Sequence, residues 1–483
     1  LVYPGTYRER VNPPRGGESE AKRIRYIADS EGPVIISGAE IVTGWKKADN
    51  GLWTVTLPNS FFGDYNPYKD QIHGDWFNAR GRVHHTGEVY LDANALAEEV
   101  SLEKAAARPM SWFCQTDDAN TTLWANFGDA DPAKANVEIN VRPACFYPDQ
   151  IGRNYITLRG FVMQRAATQW AAPTAEQIGL IGTNWSKGWV IENCIVRDSK
   201  CVGITLGKDR ASGHNNAGSA GGYNVVVRKA TESSGWSKQN IGSHVVRNCV
   251  IRDCGAAGIC GSLGAVFSQI TDNDIYNINM NKPFSGAEQA GIKIHASIDV
   301  LIARNRVHHC SRGIWMDWMA QGTHITSNLL YENVSDDMFF EVDHGPYLAD
   351  NNILLSKTAI RDWSEGGAFC HNLIAGSISL ALPQGRETPY HKPHSTEIAG
   401  LSNIPGGDDR FYNNIFVGPT GTAVYDKLKN PGPMHLAGNV YLQGAKPAAA
   451  EKGAIVDPNF DPGLKLIEKE DGLYLHLAVD PVN

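Results

Sequence analysis

Two acidic residues stand at matched places in two similar segments. Asp317 closes GIWMD, which starts at Gly313, and Glu341 closes DMFFE, which starts at Asp337; the interval is 341 − 317 = 24 residues. If each segment is a strand in successive turns of a coil of parallel strands, their backbones stack at about 4.7–4.9 Å and their side chains point the same way. Two carboxyl groups about 5–5.5 Å apart suit cleavage of a glycosidic bond with retention, one acting as nucleophile and the other as acid/base. An inverting enzyme needs roughly 6.5–9.5 Å, to hold a water. Like charges this close are not both comfortably ionised, which tends to keep a proton on one of them.

The surrounding residues fit a sugar site. Trp315 and Trp318 flank Asp317 and offer flat apolar surface, His295 is expected one turn earlier, and His344 follows Glu341. Glu288, in the loop ahead of GIKIH, is placed to hydrogen-bond sugar hydroxyls. The bland alternatives are a solvated acidic ladder or a calcium site for the carboxylates, and a wall or core position for Trp315. His295 and His344 are balanced between ligand contact and structural hydrogen bonding. The other histidines, among them His84, His85, His308 and His309, lack zinc-ligand spacing. No metal or cofactor is expected, since the chemistry requires none.

The elements that must position these residues come from internal repeats. An Asn followed two places later by an aliphatic or aromatic residue recurs at Asn193, Asn248, Asn273, Asn305, Asn328, Asn351, Asn372, Asn413 and Asn439. Where nothing intervenes the steps are 273 − 248 = 25, 328 − 305 = 23, 351 − 328 = 23 and 372 − 351 = 21, the length of one solenoid turn. A second strand motif keeps step with the first: GITLG, GICGS, GIKIH, GIWMD and DMFFE. Its fifth position forms the column Gly207, Ser262, His295, Asp317, Glu341. The repeated Asn residues read as structural, bonding turn backbone. Insertions after Gly207 and around NMNKPFSGAEQA map to one face of the coil, where binding sites often lie.

Between about Thr43 and Pro148 the repeat gives way to GLWTVTLP, GEVYLD, TTLWANF and ANVEINVRP, runs that read as an antiparallel sandwich. The expected architecture is all-β: a right-handed parallel β-helix with an inserted β-sandwich. Residues 1–42 form its first part, 43–150 the insertion, and 151–483 the main coil with a C-terminal cap.

Composition narrows the partners. A net charge of −8 gives no basic footprint for nucleic acid. No apolar run approaches the ~20 residues of a membrane span, so a soluble chain is expected. Nine cysteines, with Cys194 and Cys249 in equivalent slots, read as stacked small core residues rather than disulfides. Free thiols in an enzyme of short oligosaccharides point to the cytoplasm. The chain opens at Leu1 inside an apparent strand, so an upstream segment, with or without a signal peptide, is expected to precede it. A homo-oligomer is left open.

The stretch from Gly313 to Ser356, together with LPNSFFGDYNPY, HTGEVYL and AEQAGIKIHASIDV, resembles glycoside hydrolase family 120, whose characterised members are β-xylosidases; the likeness covers nearly the whole chain. The resemblance implies retaining release of xylose from the non-reducing end of xylo-oligosaccharides. It makes Asp317 the nucleophile, Glu341 the acid/base and Glu288 a substrate contact, with a sandwich aromatic (Trp45, Trp53 or Trp76) entering the pocket. Met316 and Asp343 depart from the family pattern without touching its carboxylates, which puts sugar preference in doubt rather than the reaction. Two rivals stay open: a β-helix polysaccharide lyase using acids for calcium with Lys293 or Arg312 as base, and a non-catalytic carbohydrate-binding solenoid.

Overall fold

A computed structural model describes residues 1–281, 283–381, 385–428 and 432–478. The chain divides into two compact units, Leu1–His295 and Ala296–Asn483. Each is built on turns of parallel β-helix, and no helix is long and apolar enough to cross a membrane among the described residues.

In the first unit one parallel sheet runs through Val34–Ser37, Phe161–Gln164, Ile195–Ser199, Val250–Cys254 and Asp274–Ile278. A second runs through Ile24–Ile27, Ile156–Arg159, Val190–Glu192, Val245–Arg247 and Gln269–Thr271. The third stacks Ile181–Gly182, Val202–Thr205, Ala257–Gly261 and Ala290–His295, with Thr205, Cys260 and Lys293 in register. Inward side chains such as Ile204, Ile259 and Ile292 are fully buried. They explain why β-branched residues dominate these strands. Gly207 has φ 96°, and a Cβ there would lie 1.9 Å from the Asn184 carbonyl oxygen, so nothing larger fits.

Strands from residues 39 to 140 leave this coil. One sheet orders Ala97–Glu98, Ser111–Thr116, Asn120–Asn126, Trp53–Pro58 and Lys46–Lys47; the other orders Ala39–Ile41, Val137–Asn140, Val89–Leu91 and Asn94–Ala95. All neighbours are antiparallel except Ala97–Glu98 beside Ser111–Thr116. Trp45, Trp112, Leu123, Phe127 and Ile139 belong to the cluster that fills the space between, a sandwich core of its own. The polar segment after Gly207, which the repeat pattern marks only as an excursion, contains a helix, Ala220–Ser233. Ser219 caps it by accepting from the Gly222 N–H, and Tyr223, Val226, Val227 and Ala230 form its buried face at helical spacing.

The second unit repeats the three-sheet turn, and here the Asn ladder is explicit. The backbone N–H of Asn305, Asn328, Asn352, Asn372 and Asn414 each donates to the side-chain oxygen of the next Asn, ending at Asn439, at 2.9–3.0 Å. Asn351 and Asn413, the first of each Asn pair, instead take left-handed backbone at φ 54° and 56°. The slot thus lies one residue later than the repeat pattern suggests at those two turns. The same offset in the first unit puts Asn193 and Asn248 at left-handed turns and Cys194 and Cys249 in the buried slots behind them. None of the nine cysteines is joined in a disulfide among the described residues.

Candidate active site

The second unit carries the carboxylate pair. Strand Ile314–Asp317 lies beside Met338–Glu341 with Asp317 opposite Glu341, and Glu341 is followed on the next turn by Trp363. Met316 and Phe340 point into the coil and are fully buried, so Trp315, Asp317, Phe339 and Glu341 share the other face by strand alternation. Asp317 is 3% and Glu341 8% exposed. Directly after each acid the backbone turns left-handed, at Trp318 (φ 52°), Met319 (φ 70°) and Val342 (φ 55°). Such a conformation costs a bulky residue about 1–2 kcal/mol, and it persists where surrounding bonds fix it. The Trp318 N–H donates to the Glu341 carbonyl at 2.9 Å, the Val342 N–H to the Trp363 carbonyl at 3.2 Å, and the Ala320 N–H to Asp343 Oδ1 at 2.7 Å.

A residue that the repeats do not reveal completes this face. Arg386 Nη1 lies 2.5 Å from Glu341 Oε1, and its guanidinium sits 4.9 Å from the ring centre of Trp318. Trp315 is covered rather than open: Arg312 lies 4.1 Å from its ring centre and Phe339 5.1 Å, and Arg312 in turn pairs with Asp336 at 2.8 Å. His344 has Nδ1 2.8 Å from Glu365 Oε1 and Nε2 3.0 Å from the Thr388 carbonyl oxygen, so both ring nitrogens are engaged by the protein. Asp343 is fully buried. Burial pushes its carboxyl well above the usual range, and the charges of Asp317 and Glu341 push the same way.

Glu288 and His295 lie in the first unit, in a second buried cluster. Glu288 Oε2 accepts from the Cys260 thiol at 3.1 Å, while Oε1 is 3.3 Å from His295 Nε2 and 4.0 Å from Lys293 Nζ. Ser262 and His295 sit one position beyond the Gly261–Ile294 register pair, and Tyr223 from the excursion helix reaches both: its hydroxyl is 3.1 Å from Ser262 Oγ, its ring 5.3 Å from the imidazole. Burial and the Glu288 charge raise the Cys260 thiol well above its ordinary value, which makes it a structural donor. Of the three sandwich aromatics, Trp45 is core and Trp53 packs on that core. Trp76, 37% exposed, precedes Phe77–Asn78, the strand that pairs with Ser285–Gly286 just ahead of Glu288. Among the described residues no three His, Cys, Asp or Glu side chains are grouped to hold a metal ion.

Comparison with known proteins agrees with this fold. The model of the insertion domain of glycoside hydrolase family 120 matches residues 42–110 and 99–139, and the right-handed β-helix model matches residues 178–374. A solved structure described as the complex of XylC with xylose is 42% identical, superimposes with a TM-score of 0.94, and is matched over 98% of this chain and 83% of its own. A structure described as a glycoside hydrolase (11% identity, TM-score 0.46, 85% of this chain and 88% of its own) is too distant to carry an argument. So is a lacto-N-biosidase from Eubacterium ramulus (12% identity, TM-score 0.40, 85% and 61%). No curated protein matches the chain. Identity and coverage on this scale, with the insertion domain in its place, make the chain a member of glycoside hydrolase family 120 and hence a glycosidase.

Proposed function

We propose that the protein is a retaining β-xylosidase that releases xylose from the non-reducing end of xylo-oligosaccharides, with Asp317 as nucleophile and Glu341 as acid/base. One observation carries the reading: Asp317 and Glu341 are direct partners on adjacent parallel strands, so their backbones stand one inter-strand spacing of about 4.8 Å apart. Side chains projecting the same way from that spacing suit the carboxyl separation of about 5–5.5 Å that a covalent intermediate uses, rather than the roughly 6.5–9.5 Å of an inverting pair. The xylose in the 42%-identical relative supports the choice of sugar.

In the first step Asp317 attacks the anomeric carbon as the glycosidic C–O bond breaks, and Glu341 gives its proton to the departing oxygen. In the second, Glu341, now ionised, takes a proton from water, whose oxygen displaces Asp317 and restores the original anomeric configuration. Two inversions sum to retention. The lyase alternative is weakened because Arg312 is stacked over Trp315 and paired with Asp336, and Lys293 is fully buried near Glu288.

Asp317→Ala tests the assignment. The variant is expected to lose at least about 10³-fold in kcat on an aryl β-xyloside, and added azide is expected to restore turnover with α-xylosyl azide as product. An Asp317→Ala enzyme that turns over normally, or azide rescue yielding the β-azide, would remove Asp317 from the mechanism.

A further inference from the structure

We propose that Asp343 is the positioning residue that holds Asp317 and Glu341 at their reacting separation. The proposal rests on the glycosidase reading of that pair. Asp343 follows Glu341 by two positions, and its Oδ1 accepts the N–H of Ala320, three positions after Asp317. Its side chain therefore ties the turn leaving one carboxylate strand to the turn leaving the other.

The tie falls where it is needed. Trp318 and Met319 are both left-handed, so the chain between Asp317 and Ala320 is held in a conformation it would otherwise relax from. Beyond the strands, the Trp318 N–H bonds the Glu341 carbonyl and the Ala320 N–H bonds the Asp343 side chain, and further along the Gly322 N–H bonds the Pro346 carbonyl at 2.7 Å. Asp343 is itself anchored on the following turn. Its N–H donates to Ser364 Oγ at 3.0 Å, its carbonyl accepts from the Glu365 N–H at 3.0 Å, and the Ser364 hydroxyl lies 3.4 Å from Oδ2. Three turns are thus linked by Ala320, Asp343 and Ser364 just beyond the points where the two acids project.

Asp343 works as a neutral acid. It is fully buried, and burial is the main cause that raises its carboxyl, with negative charge on Asp317 or Glu341 acting in the same direction. A second fixed negative charge beside the nucleophile is avoided, while the carbonyl oxygen still accepts from Ala320. An asparagine keeps the acceptor for Ala320 and stays neutral; only the long contact in which the Ser364 hydroxyl donates to Oδ2 is reversed, with the amide as donor.

The test compares Asp343→Asn, Asp343→Ala and Ser364→Ala on an aryl β-xyloside across pH, with thermal unfolding measured alongside. Asp343→Ala is expected to lose about 10–100-fold in kcat with KM within about threefold, as a misplaced catalytic group does. Asp343→Asn is expected to recover kcat to within about threefold of the parent with a superimposable pH profile. Ser364→Ala should cost kcat by a smaller factor and covers the case in which Asp343→Ala fails to fold. The proposal is overturned if Asp343→Ala and Ser364→Ala keep parental kcat, if Asp343→Asn is as impaired as alanine, or if its pH profile moves. Asp317→Ala in the same assay separates the two readings, because full activity there sinks the catalytic pair itself, whatever Asp343 does.

Discussion

Glu341 has two duties with different demands, and a change of substrate tells them apart. Cleaving xylobiose needs a proton on the departing sugar oxygen, whereas an aryloxide of low basicity leaves without one. Glu341→Ala is therefore expected to lower kcat/KM, which reports the first step, by about 10³-fold on xylobiose and by about tenfold or less on an activated aryl xyloside. Equal losses on both would deny Glu341 the acid role. At this scale the stacking of Asp317 on Glu341 was readable from the interval of 24 residues, because one turn of a parallel coil converts sequence distance into stacking. Arg386 was not readable. It follows Glu341 by 386 − 341 = 45 residues, outside any repeat, and only the folded chain brings it to Glu341 and Trp318. His344 and Trp315 stood out as sugar contacts by nearness in sequence; in the structure His344 bonds Glu365 and Thr388, and Trp315 lies beneath Arg312.

Turns keep their register through the Asn ladder, and a single break in it has a definite cost. Asn328 accepts from both the backbone and the side chain of Asn305, and donates to the Ile302 carbonyl and to Asn352. Asn328→Ala leaves the buried Asn305 N–H and the Ile302 oxygen without these partners. A destabilisation of about 2–4 kcal/mol is expected by denaturant unfolding; a loss below about 0.5 kcal/mol would show that the ladder is incidental. The repeat made this element visible but misjudged its phase at Asn351 and Asn413, since in an Asn-Asn pair either residue satisfies the pattern. Only the left-handed φ of the first shows which one turns the chain and which one bonds. The helix at Ala220–Ser233 escaped notice because its Gly-rich start and polar outer face dilute the 3.6-residue pattern.

Over the whole molecule, buried acids and buried histidines both shape the pH dependence of stability. Burial pushes the Asp337 carboxyl up to about 7 and that of Asp362 up to about 6, and Asp409, beside Asp362, is raised too. Each holds its proton more tightly folded than unfolded, where an ordinary Asp titrates near about 3.9. These acids alone make stability fall as pH rises from about 4 to 7, whereas burial holds His244 down to about 3 and His391 down to about 4, and these histidines act the other way up to about pH 6.5. Glu98 and Glu192 act in the opposite sense: burial opposes their ionisation but Lys200 and His85, or Arg247 and Arg159, overcome it, so their contribution is lost as pH falls below about 4.5. The two sets oppose each other below about pH 6.5; above it Asp337 still loses its proton, so the melting temperature is expected to decline from about pH 6.5 to 8. Calorimetry at constant ionic strength showing a rise over that range would contradict the role given to the buried carboxyls. The coil and its sandwich were legible in the sequence at this scale because strand period, turn residues and repeat length agree; which acids stay buried and neutral depends on side-chain packing that no spacing encodes.

Proton NMR of xylobiose hydrolysis tests substrate, bond and stereochemistry in one spectrum. The stacked Asp317 and Glu341 predict that β-xylose appears first and that the α-anomer follows only by mutarotation. First appearance of α-xylose, or no cleavage of xylobiose at all, would contradict the account.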